Sequence, residues 1–165
     1  MSETQTSAGG HHTLGDESFM SADDLRHYMD QVAMAHANAE LAAVDKAEHA
    51  RQELVKKMAQ PIDLTPERLQ EIQQTLLVKL RAAAERGETE IMVMRFPNAV
   101  CTDKGRAINN ELENWPDTLT GRPRQAYELW RDHLRAAGYH LKAMIVDWPN
   151  GMPGDVGLFL AWGGK

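Results

Sequence analysis

The period of the hydrophobic and polar positions changes several times along the chain, and each change predicts an element. From Ser21 to about Gln60 no glycine or proline intervenes, and most apolar positions are alanine. Two stripes run through this stretch at helical spacing. One is Leu25, Tyr28, Val32, Ala35, Ala39 and Ala42, broken at Lys46; the other is Met34, Ala37, Leu41 and Val44 on a different face. Ser21 suits the N-cap, Asp23 and Asp24 the positive end of the helix dipole, and Lys56 and Lys57 the negative end. The pattern predicts one long helix over 21–60 that is not a clean coiled coil. At about 60 Å it exceeds what a small domain needs, so association with another helix is expected.

Pro61 ends that run, and Thr65, Pro66 and Glu67 restart the chain as cap, first helical residue and first-turn acid. Leu69, Ile72, Leu76, Leu80 and Ala83 then form a core stripe that closes at Gly87. "EIMVMRF", 90–96, reads as an interior strand apolar on both faces, stopped by Pro97. A short helix is expected from Thr102 or Asp103 to Leu112, packing Ala107, Ile108 and Leu112 inward. A second amphipathic helix over 120–137 would bury Ala126, Leu129, Trp130, His133, Leu134 and Ala137. Strands over 139–148 and 156–162, joined by "PNGMPGD", suggest an antiparallel pair. Trp115 and Trp148 each precede a proline and are expected to anchor turns with their indoles on the core.

These elements predict an α+β fold: a small three-stranded mixed sheet packed with three helices, in the order α-β-α-α-β-β, plus the long N-terminal helix. Strands 90–96 and 139–148 would be related by a right-handed parallel crossover. Residues 1–20 are expected to be a disordered tail, 21–60 the helical extension and 61–165 the core domain.

Composition narrows the function classes. With 42% hydrophobic and 25% charged residues, the 165-residue chain can build a packed core. Its net charge of -6 opposes approach to phosphate backbones and anionic lipid, and the basic cluster Arg122, Arg124, Arg131 and Arg135 is diluted by Glu128 and Asp132. Nucleic acid and membranes are therefore not expected partners, and no apolar run approaches the roughly 20 residues of a membrane span. A single cysteine cannot form an internal disulfide, and the N-terminus lacks a secretory pattern, so a cytoplasmic location is expected. His11 and His12 lie in the tail without an organised site, and His27, His36 and His49 do not share a helix face. No metal and no cofactor are expected, and the dinucleotide, P-loop, zincin and nucleophile-elbow motifs are absent from the sequence.

One stretch carries candidate chemistry. "PNAVCTDKGR" leaves the carboxyl end of the first strand and "DWPNGMPGD" that of the second; if those strands run parallel, both loops lie at one sheet edge, where ligands collect in open α/β sheets. Asp103, Lys104, Arg106, Asn109, Asp147, Trp148, Asn150 and Asp155 are the ligand-binding candidates, with Cys101 as a candidate nucleophile. A following helix start, Lys104 and Arg106 would each favour a thiolate. The layout of strand, cysteine loop and helix resembles that of cysteine phosphatases, whose signature is C-x5-R. Here Cys101 to Arg106 is C-x4-R, and Asp103 would set an anion in the anion cradle. Both departures favour a capped helix start with Cys101 as a small buried hydrophobe.

The expected function is a non-enzymatic interaction or regulatory protein that self-associates, or docks on a protein partner, through 21–60. The alternative is a small-molecule or anion-binding domain, catalytic or not, working at the 97–110 and 147–155 loops.

Overall fold

A computed structural model describes residues 19–163. The expected tail with His11 and His12 lies outside the described residues, apart from its last two positions. The chain divides into two compact units, one ending at His49 and the next beginning at Ala50.

The first unit contributes most of α1 (Ala22–Ala59), a single helix. Ser21 caps it, its hydroxyl oxygen accepting from the Asp24 amide at 3.0 Å. Along the part before His49 the large apolar side chains remain exposed, among them Tyr28, Met29, Val32, Met34, Leu41 and Val44.

The second unit takes up the last turns of α1. Met58 is buried in the core and Val55 packs against it, so the core begins before Pro61. Next is α2 (Pro66–Glu85), capped by Thr65, whose Oγ1 accepts from the Arg68 amide at 3.1 Å. Its end is a Schellman turn: the Glu88 amide donates to the Ala83 carbonyl and the Gly87 amide to that of Ala84, with Gly87 at φ 81. Between the helices the Gln125 side chain clasps the linker, accepting from the Ile62 amide at 2.9 Å and donating to its carbonyl at 2.8 Å.

β1 (Glu90–Phe96) agrees with the expected strand. A short helix, α3 (Arg106–Asn109), and then α4 (Gly121–Leu129) come after it. β2 (His140–Ile145) and β3 (Val156–Ala161) complete an α+β fold with a long N-terminal helix.

The sheet is antiparallel throughout rather than mixed. Its order is β1-β3-β2: β3 pairs with both neighbours, and β1 and β2 point the same way without touching. The reason is burial. β3 is apolar on both faces and nearly all buried, so its backbone groups need partners on both sides, which only the central place supplies. Phe96, Val156 and Leu158 form the centre of the core with Val100, Ile108 and Leu119.

Two expected helices are shorter than the pattern suggested. Lys104 and Gly105 have φ values of 58 and 84, which right-handed helix excludes, so residues 101–105 are turns and only Arg106–Asn109 is helical. Leu112 is consequently exposed rather than inward. The expected 120–137 helix switches to a π-helical turn over Trp130–Leu134. The wider turn rotates the end of the helix, and His133 and Ala137, expected in the core, are exposed.

Candidate functional site

Because β1 and β2 point the same way, the loops after them do share one sheet edge. Side chains tie them together. Asn98 Nδ2 donates to the Pro153 carbonyl at 2.9 Å. Arg95, on β1, donates from Nε to Asp155 at 3.0 Å and from Nη2 to Asp147 at 3.2 Å. The Asp155 carboxylate, helped by Asp147, pushes the Arg95 guanidinium further up from its already high range. Asp147 Oδ1 also accepts from the Asp155 amide at 2.5 Å, and a Cβ on Gly154 would come within 2.1 Å of that same oxygen. Glycine at 154 is therefore a steric requirement of this latch. Arg95 was hidden in the sequence as the one cation in an apolar strand; that cation was the available signal.

The first loop is equally self-contained. Asp103 stands two residues before Gly105, the N-cap of α3, and holds the helix start, its carboxylate accepting from the Gly105 amide at 3.0 Å and from the Ala107 amide at 2.8 Å. The Thr102 amide donates to the Thr118 carbonyl at 2.8 Å. Cys101 is only 3% exposed. Burial pushes its thiol up to about 11; the Asp103 carboxylate adds to the rise, and a Thr118 hydrogen bond opposes it. Lys104 and Arg106 are exposed. The stretch thus has the geometry of a capped helix start, and at neutral pH the thiol is held in its unreactive form.

Of the candidate residues, Asp147 and Asp155 meet at Arg95, while Asn109 and Trp148 meet in a groove of ≈ 600 Å³ beside β2. Asp103 is occupied by its cap; Lys104, Arg106 and Asn150 line neither cavity described for the chain. Trp148 is 53% exposed rather than seated on the core, whereas Trp115 packs against it. Trp148 leaves the core because it stands at φ -136, ψ 70 just beyond the strand end, at the mouth of a turn in which Asn150 is left-handed at φ 54.

The four arginines of the basic cluster each have an intrachain contact. Arg122 donates to the Gln60 carbonyl, Arg124 to Glu128 and the Pro116 carbonyl, and Arg131 to Asp132; Arg135 stacks on Trp130. A second cavity, of ≈ 790 Å³, lies between α2 and α4 above the sheet. Its walls include Leu69, Ile72 and Leu76, which the sequence pattern presented as ordinary core. Among the described residues, no cluster of three or more His, Cys, Asp or Glu could hold a metal ion, and no helix is long and apolar enough to cross a membrane. No family model, curated protein or solved structure matches the chain.

Proposed function

We propose that the protein is a non-enzymatic interaction protein that self-associates through its long N-terminal helix, 21–60. The observation that carries this is exposure: Leu25, Tyr28, Met29, Val32, Met34, Leu41 and Val44 are between 37% and 64% exposed on one uninterrupted helix. A helix this long draws most of its stability from packing, and among the described residues these side chains are left largely exposed. Alanines at 35, 39 and 42 leave room for a second backbone to approach closely. A second copy is the favoured occupant because α1 is acidic in its first turn, at Asp23 and Asp24, and basic in its last, at Lys56 and Lys57. Two copies laid antiparallel set each acidic end against a basic one.

Sedimentation velocity on the full chain tests this. The parent is expected to run as a dimer, and Val32→Glu or Leu41→Glu as a monomer with unchanged thermal unfolding of the second unit. The two substitutions lie on different stripes, so the one that dissociates the dimer identifies the contact face. A parent that stays monomeric at every micromolar concentration removes the proposal.

A further inference from the structure

The space between α2 and α4 is not filled by the side chains that face it. Leu69, Ile72 and Leu76 on α2 and Leu129 and Trp130 beyond them line the ≈ 790 Å³ cavity, with Leu160 of β3. The space is a groove open to solvent along one side rather than an enclosed void. An apolar groove of this size falls within the roughly 300–1,000 Å³ of small-molecule sites. Several polar groups on its walls already have partners: Gln125 holds Ile62, Arg122 donates to the Gln60 carbonyl, and the Trp130 indole donates to the Tyr139 carbonyl at 2.9 Å. The charged α2 residues that line it, Arg68, Lys79 and Glu71, are exposed and so stand at its mouth. None of the three has an ion-pair partner among the described residues, and cations outnumber the anion. Arg68 and Lys79 are separated by about 16 Å of helix, which matches an elongated ligand better than a compact one.

We propose that this cavity binds an aliphatic carboxylate, its chain lying along the inner stripe of α2 and its head at Arg68 or Lys79. The inference concerns the second unit alone and does not depend on self-association.

The full-length chain is titrated with octanoate, decanoate and dodecanoate below their micellar concentrations, followed by thermal unfolding and by isothermal calorimetry. Binding is expected to raise the unfolding temperature and to tighten about fourfold per added methylene, the fold-change equivalent to ~0.8 kcal/mol per buried CH₂. Either Arg68→Gln or Lys79→Gln should weaken dodecanoate binding, identifying the cation that holds the head, and dodecanol should bind more weakly than dodecanoate at low salt. Leu76→Trp fills the cavity and should weaken binding at least about tenfold with the unfolding temperature preserved. If that variant does not fold, Leu129→Phe serves in its place, and the outward-facing Val78→Ser should bind like the parent. Absence of binding, affinity independent of chain length, dodecanol binding as tightly as dodecanoate, or binding unchanged in a folded cavity-filling variant would each overturn the proposal.

Discussion

Alkylation of Cys101 offers a quantitative test of the capped helix start. Burial raises the thiol from its ordinary 9.0 to about 11. At any pH below both values the native protein therefore holds about a hundredfold less thiolate than the unfolded chain. Iodoacetamide reacts with the thiolate, so at pH 8 the native rate should fall at least about a hundredfold below the rate in urea. The 3% exposure of the side chain adds a further steric delay. Intact mass measured against time, from pH 7 to 10, native and unfolded, gives both rates. The same shift also predicts a pH dependence of stability. Because the folded value is the higher one, the contribution is fully present below pH 9.0 and is lost as pH rises through about 11. Its size is roughly 2–3 kcal/mol, taking about 1.36 kcal/mol per pKa unit. Cys101→Ala should lack this alkaline loss, and the difference between the two denaturation series isolates the thiol from lysines and tyrosines titrating nearby. A native rate within tenfold of the unfolded one, or an apparent thiol pKa below ~8, would refute the reasoning.

Two further predictions concern the junction of α1 with α4. Gly121 has φ +56, and a Cβ there would stand 2.2 Å from the Met58 carbonyl oxygen; Gly121→Ala should therefore lower stability by well over ~1 kcal/mol in urea, and an unchanged midpoint would contradict the close approach. A chain beginning at Ala50 keeps Val55 and Met58 and should retain the parent's core stability, whereas one beginning at Pro61 should lose about 2–5 kcal/mol; equal midpoints would show that Met58 adds nothing.

Local punctuation made much of the fold legible. Thr65, Pro66 and Gly87 bounded α2, and the apolar run before Pro97 gave β1 its limits, because caps and breakers act within a turn of where they stand. The order of strands was harder. Three apolar runs do not say which is central, although the continuous "VGLFLA" of β3, apolar at both parities, was a usable clue. The length of α3 was misread because Lys104 gives no warning of a positive φ. The rotated end of α4 was misread because a π-helical turn has no sequence signature. Of the site, the shared edge of the two loops was legible, but their organiser, Arg95, sits inside a strand, where a lone cation does not say what it will clasp. The cavity was not legible at all. A leucine facing a void and a leucine facing another leucine occupy the same place in a helical period, so the stripe of α2 reads identically in both cases.

The central position of β3 bears on the order in which the sheet can be made. Glu90 and His140 both register with Ala161, so β1 is made long before the strand that joins it to β2 exists. During that interval β1, apolar and with both edges open, must stay apart from neighbouring chains. β1 then closes the loop 97–155, about sixty residues, at once, which makes sheet closure a late, slow step that local helix formation cannot hasten. A translational pause within 97–155 would lengthen the interval during which β1 has no partner, with nascent-chain aggregation as the cost.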